Sequence, residues 1–250
     1  MKMSTLDLAA MKPSTLNQAE VHVWSCRLDA APEAVAYCTT LLAEDETVRA
    51  ARFRVSTDRD RFIVAHALLR RLLATYLETD PARLLFGQAA YGKPFLINHP
   101  ELCFSLSHSG GFALVALARR EVGVDVERLD RQIEIDSVAA SIFSAQELAE
   151  LRTLVPAERC AAFFRVWTRK EAYVKARGVG LQRSTHSFSV SSRAGDDDAL
   201  LSDATDSEAG QGWRVGDIAA PAGYCAALAV AQRVWPVQEF DAAVLPARFG

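Results

Sequence analysis

The middle of the chain constrains the fold most. Residues 103–109 (CFSLSHS), 112–118 (FALVALA) and 121–127 (EVGVDVE) are three apolar, strand-like runs separated only by Gly110-Gly111 and Arg119-Arg120. Links this short leave no room for a crossover helix, so consecutive runs are expected to pair antiparallel. Upstream, VHVWSCRL (21–28) alternates as a half-buried strand does, and a helical pattern follows from Glu33 to Ala43. The longest helix is expected over 58–78, where Phe62, Ala65, Leu69 and Leu72 recur at helical spacing while the arginines mostly take the other side. YGKP (91–94) reads as a loop.

Downstream, Ser144 and Glu147 match a capping box for a helix through Thr153, and Pro156 suits the first turn of a longer helix ending near Arg177. FSVSS (188–192), WRVGDIA (213–219), YCAALAVA (224–231) and VWPVQEF (234–240) read as strands, with the acidic stretch 193–212 as a mobile loop. Strands and helices in both halves without strict alternation give α+β with antiparallel or mixed sheets.

With 250 residues, half of them apolar, the chain can bury one large core or two small ones. A formal charge of −3 offers no general attraction to nucleic acid or an anionic membrane, so any phosphate binding must come from a local basic cluster. The five cysteines form no CxxC pair, which fits a reducing, cytoplasmic setting. The N-terminus has no apolar signal core, no apolar run approaches the ~20 residues of a membrane span, and residues 1–20 read as a flexible tail.

In GVDVE, a period of two puts Val122, Val124 and Val126 on one face and Gly123, Asp125 and Glu127 on the other. The valines suit a core. The two carboxylates then stand about 6–7 Å apart along the strand, where they repel unless a cation lies with them. A solvated surface is the plain alternative. Gly123 on the acid face favours a ligand, because no side chain there blocks its approach to the backbone.

The segment WTRKEAYVKARGVGL (167–181) crowds Arg169, Lys170, Glu171, Lys175 and Arg177 onto one helix before a glycine pair. Glu171 and Lys175, four apart, could form an ordinary surface ion pair. The apolar setting of Trp167, Tyr173 and Val174 favours a polyanion site instead, with Glu171 as a third oxygen ligand and the lysines neutralising phosphate. Gly178 and Gly180 would end the helix. SLSHSGG offers Ser107, His108 and Ser109 at a strand end, yet no nucleophile elbow, P-loop, dinucleotide fingerprint or HExxH is present.

Taken in order, YGKP, FSLSHSG, GVDVE, FSAQE and WTRKEAYVKARGVGL resemble the 4′-phosphopantetheinyl transferase superfamily, of the longer Sfp-like type. The resemblance implies two similar α+β halves of pseudo-twofold symmetry, here 21–120 and 121–250, the second carrying the metal ligands. It implies Mg2+, for which Mn2+ can substitute, held by Asp125, Glu127 and Glu171, with Glu171 or a bound water as base and Lys175 on the pyrophosphate. Coenzyme A would lie against Ser107, His108 and Lys175, with Gly92, Lys93 and Pro94 at the adenine end and Arg61 and Arg49 at the 3′-phosphate. Glu46 stands where some relatives are basic. The implied reaction is attack by a serine hydroxyl of an apo acyl or peptidyl carrier protein on the β-phosphorus, releasing adenosine 3′,5′-bisphosphate. The carrier could serve fatty acid, polyketide or nonribosomal peptide synthesis. A cytoplasmic monomer without nucleic-acid or membrane partners is expected. A binding module without turnover and a Mg2+-dependent diphosphate hydrolase stay open beside it.

Overall fold

A computed structural model describes residues 5–6, 16–129, 132–180, 184–196, 198–206, 209–231 and 236–242. After a two-residue strand β1 (Thr5–Leu6), strand β2 (Val21–Arg27) leads through α1 (Pro32–Thr40) and α2 (Glu44–Ala50) into the long α3 (Ser56–Tyr76). A small hairpin, β3 (Phe86–Gln88) and β4 (Pro94–Leu96), precedes β5 (Cys103–Ser109) and β6 (Phe112–Ala118). The order then repeats. Strand β7 (Val122–Arg128) leads through α4 (Ile135–Ile142) and α5 (Ala145–Thr153) into the long α6 (Pro156–Arg177). The pair β8 (Phe188–Val190) and β9 (Leu200–Asp203), then α7 (Ala209–Gly212), precedes β10 (Trp213–Asp217), β11 (Tyr224–Ala231) and finally β12 (Val237–Ala242).

The sheets repeat the same plan. In the first, β2, β6 and β5 lie side by side and antiparallel; in the second, β7, β11 and β10 do the same in corresponding order. This is an α+β fold of two halves. The C-terminal strand β12 returns to the first sheet, parallel to β2, and β1 runs parallel to β12. Of residues 1–20, expected as a tail, 1–4 and 7–15 lie outside the described residues, while Leu16 is buried against the first core.

Strand alternation sets four layers. Trp24, Cys26, Val115 and Leu117 face α3, whose Phe62, Leu68 and Leu72 cover them. The opposite face of that sheet, with Val21, Val23, Leu114 and Ala116, packs on Val122, Val124, Val126, Leu228 and Val230 of the second sheet. Beyond it, Val215, Ala227 and Ala229 pack on Phe164, Ala172, Tyr173 and Ala176 of α6. The valines of GVDVE therefore fill the core shared by both halves, each contributing roughly 1.5–3 kcal/mol of burial. This sandwich also explains why β2 is buried on both faces rather than one.

Three expectations change. Strand β7 ladders with β11 and not with β6, because its valine face lies on the first sheet rather than extending that sheet's edge. The stretch 193–212 is not simply a loop, since it carries β9 and α7 and Ala199 N–H donates to Val215 O at 2.8 Å. The arginines of α3 do not all face solvent: Arg70 and Arg71 are buried, and Arg70 Nε donates to Glu46 Oε2. Glu46 also accepts from the Ala43 N–H that starts α2 and lies 3.1 Å from His66 Nδ1. It is thus a structural anchor between α2 and α3 rather than part of an open phosphate site. Among the described residues no helix is long and apolar enough to cross a membrane.

Burial alone would raise the Glu46 pKa, but the hydrogen bonds from His66, Ala43 and Arg70 outweigh it and hold the carboxyl at about 2. A carboxyl depressed in the folded state stabilises above its unfolded value of about 4.3 and loses that contribution as the pH falls toward 2. Glu46→Gln should therefore cost about 3–5 kcal/mol at neutral pH, since it leaves Arg70 buried without its counter-charge. Denaturant melts at successive pH values should show this gap shrinking below pH ~4.5.

Candidate active site

Helix α6 rests on β7 at Gly123. A Cβ placed there would lie 2.1 Å from Ala172 O and 2.4 Å from Ala176 N, so only glycine lets the helix backbone reach the strand. This replaces the reason expected from sequence: the bare face of Gly123 receives α6, not a ligand. Glu171 and Lys175 each precede one of these contact points by one residue, which brings them to Asp125, two positions along the strand.

Asp125 is 4% exposed. Its Oδ1 accepts from Lys175 Nζ at 2.7 Å and from Ser107 Oγ at 2.8 Å, and Lys175 Nζ also donates to Ser107 Oγ at 2.9 Å and to Val124 O at 3.3 Å. The other oxygen, Oδ2, is buried and finds no hydrogen-bond partner among the described residues. Glu127 Oε2 accepts from Ser109 Oγ at 2.7 Å. The Glu171 carboxyl is pushed up by burial first, then by the neighbouring charge of Asp125, with Lys175 opposing and Glu127 adding a smaller push. Three acids and one lysine thus act on each other electrostatically. Lys175 pairs with Asp125 and not, as an i, i+4 surface pair, with Glu171.

The other bases of the segment are directed elsewhere. Lys170 Nζ is buried and donates to both oxygens of Glu147, at 2.9 and 2.8 Å, and to Phe188 O at 2.8 Å. Arg169 pairs with Asp217 at 2.8 Å, and Arg177 with Asp206 at 2.7 Å. Lys170 therefore cannot neutralise phosphate in the cleft; it closes a core ion pair on the far side of α6. Gly178, at φ +64, ends the helix in the left-handed conformation as expected.

Lys93 ties the first half to the second: its ammonium donates to Ala176 O at 2.7 Å and to Val122 O at 3.2 Å, and burial lowers its pKa. It occupies the helix C-terminus, where a cation is favoured. Gly92, at φ +83, precedes it in the exposed turn of the β3–β4 hairpin, and the exposed Pro94 follows it as the first residue of β4.

Alternation along β5 separates Ser107 from His108. Ser105, Ser107 and Ser109 turn to β7, where they accept from the N–H groups of Val124, Val126 and Arg128. Phe104 and Leu106 join the core under α3, and His108 shares that side. Its pKa is lowered to about 4 by burial, then by His66 and Lys175, so the imidazole is neutral at neutral pH. Arg61 Nε donates to Asp29 at 2.8 Å, and the exposed Arg49 lies 5.2 Å over the Phe62 ring. The SLSHSGG motif offers the Ser109 hydroxyl to an anion and the resemblance gives it no role; its bond to Glu127 is what the sequence missed, and the S-x-S-x-S alternation within CFSLSHS carries the signal that could have found it.

Among the described residues no three His, Cys, Asp or Glu side chains stand in metal-ligating geometry. The chemistry of the donors nonetheless fits a hard divalent cation: carboxylate oxygens, one of them buried and unpartnered, beside a third carboxyl whose ionisation burial disfavours.

Two family models match end to end, "4′-phosphopantetheinyl transferase, N-terminal" over residues 29–120 and "4′-phosphopantetheinyl transferase superfamily" over 121–229. The 4′-phosphopantetheinyl transferase HetI of Nostoc sp. is 36% identical over 173 residues, 68% of this chain and 73% of its own. The chain belongs to the 4′-phosphopantetheinyl transferase superfamily. It is accordingly a transferase. Sfp of Bacillus subtilis, which carries the same family name, is 27% identical over 60% of this chain and 66% of its own. A phosphopantetheinyl transferase of Thraustochytrium sp. is 31% identical over 62% and 59%.

Gly123→Ala should destabilise the protein by about 3 kcal/mol or more, because the contact to be relieved is backbone on both sides. Urea denaturation checks this, with Gly212→Ala, where no atom stands within 4 Å and φ is not positive, as the mild comparison.

Proposed function

We propose that this transferase moves the 4′-phosphopantetheine group of coenzyme A to a serine hydroxyl of an apo acyl or peptidyl carrier protein, with Mg2+ or Mn2+, releasing adenosine 3′,5′-bisphosphate. The observation that carries this reading is the meeting of Asp125, Glu171 and Lys175, with Lys175 on Asp125 Oδ1 and the buried Oδ2 without a hydrogen-bond partner among the described residues. Asp125, Glu127 and Glu171 would hold the cation, which when bound supplies Lewis-acid stabilisation of the diphosphate.

The chain's own groups account for the remaining chemistry. Glu171 is a candidate base for the incoming hydroxyl, since a raised pKa brings a carboxylate closer to the working pH of proton transfer. The serine oxygen forms a bond to the β-phosphorus as the bond to the bridging oxygen breaks. Lys175, already able to reach Asp125 and Ser107, is placed to stabilise the charge developing on the departing nucleotide. His108 would meet phosphate as a neutral donor, with Arg61 and Arg49 supplying positive charge at the 3′-phosphate. Lys93 contributes by fixing the Gly92–Pro94 end of the β3–β4 hairpin, not by its charge, because backbone carbonyls already hold its ammonium. We also assign residues 21–120 and 121–250 to the two halves. The boundary between the matching family models supports that division. A cytoplasmic monomer is part of the same reading, in keeping with five free thiols.

Mixing the chain with coenzyme A, Mg2+ and apo carriers from fatty acid, polyketide and nonribosomal peptide systems, then weighing each carrier intact, tests this directly. One added phosphopantetheine on at least one carrier is expected. Unchanged masses throughout, with coenzyme A bound, would instead identify a binding module; phosphopantetheine released without any carrier would identify a hydrolase. Glu171→Gln should lower kcat by about 10²–10⁴-fold while the protein keeps its melting transition.

A further inference from the structure

Strands β5 and β7 run beside each other where the two halves meet, yet they share no backbone ladder. Three serine hydroxyls stand in for it. Ser105 Oγ accepts from Val124 N–H at 3.1 Å, Ser107 Oγ from Val126 N–H at 3.3 Å and Ser109 Oγ from Arg128 N–H at 3.2 Å. The period of two in the serines matches the period of two in the N–H groups they receive.

A hydroxyl that accepts still has one proton to donate. Ser107 gives its proton to Asp125 Oδ1 at 2.8 Å and Ser109 gives its own to Glu127 Oε2 at 2.7 Å. For Ser105 no donated bond to a carboxylate is present among the described residues. Two of the three rungs therefore serve twice, since each is held by the backbone beside a carboxylate residue and directs its proton to that carboxylate's side chain.

We propose that Ser107 and Ser109 are positioning residues that orient Asp125 and Glu127 for a divalent cation, and that Ser105 is a rung of the same seam without that role. The proposal rests on the reading of the site given above. It assigns the two hydroxyls to the carboxylates and not to the substrate's phosphates. Each donated bond engages one carboxylate oxygen and restrains the side-chain rotamer; at Asp125 the second oxygen, Oδ2, has no hydrogen-bond partner among the described residues. Hydroxyl partners of this kind govern metal affinity without touching the metal.

Ser109 provides the cleaner test, because Ser107 also meets Lys175. Direct Mn2+ binding to the full chain, read from the electron paramagnetic resonance of free Mn2+ without coenzyme A or carrier, is compared for wild type, Ser109→Ala, Ser109→Thr and Ser105→Ala. Ser109→Ala should weaken Mn2+ binding roughly 10–100-fold. Ser109→Thr, which keeps the hydroxyl, should recover most of it, and Ser105→Ala should lower the melting temperature while leaving Mn2+ affinity near that of wild type. Should Ser109→Ala not fold, Ser109→Cys, of similar size and a weaker donor, takes its place. Equal weakening by Ser105→Ala and Ser109→Ala would overturn the assignment, since both would then act only through the seam. So would unchanged affinity in Ser109→Ala. If wild type itself binds no Mn2+, the site reading fails first and the positioning role falls with it.

Discussion

The backbone of α6 lies on the backbone of β7 with only the hydrogen of Gly123 between them. Everything in the cleft depends on that contact. A side chain at 123 would lift the helix away from the strand and carry Glu171 and Lys175 with it. Ala172 and Ala176, the residues at the contact, are themselves small, so the helix presents a flat surface there. Close approach makes the spacing between strand and helix short enough for Lys175 Nζ to reach the Asp125 carboxylate, the Ser107 hydroxyl and the Val124 carbonyl together.

On its other side, α6 is fixed by charges that are taken out of water in pairs. Lys170 and Glu147 are almost wholly buried, and Glu147 has further duties: it caps α5 through Ser144 N–H and accepts from Val190 N–H of β8. One carboxylate thus ties three elements. A buried pair of this kind contributes little net stability against an apolar replacement, but losing either partner costs several kcal/mol, so it fixes the rotation of the helix more than it strengthens the fold. On the cleft side the balance is different. Glu171 is partly buried, which disfavours its charged form, and Asp125 keeps an oxygen without a partner among the described residues. The far side of the helix is fully satisfied so that the near side can remain incomplete, which is the condition of a site that awaits a ligand.

Much of this was legible in the sequence. The capping box at Ser144 and Glu147, Pro156 at the start of α6 and the end at Arg177 are local signals, and each element follows them closely. The valine face of GVDVE was also legible, because alternation depends only on the strand. Less legible was what each charged residue would meet. Lys170 and Lys175 look alike in the sequence, yet one pairs with Glu147 in a core and the other with Asp125 in the cleft, a difference set by five residues of helical rotation and by strands far away in the chain. For the same reason nothing local in the sequence shows that Glu46 and Arg70 form a buried pair. Likewise, a glycine beside two acids suggests room for a ligand, and only the packing of α6 shows what fills that room. The repeat of strand order in the two sheets is invisible by eye because pairing, and not sequence likeness, carries it.

Asp125, Glu127 and Glu171 are proposed to hold one divalent ion together. Anomalous X-ray diffraction from crystals grown with Mn2+ and coenzyme A measures this most directly. A single Mn2+ peak bonded to oxygens of all three carboxylates and to the diphosphate of coenzyme A is expected. A peak bound elsewhere, or coenzyme A seated with its diphosphate away from these acids, would contradict it.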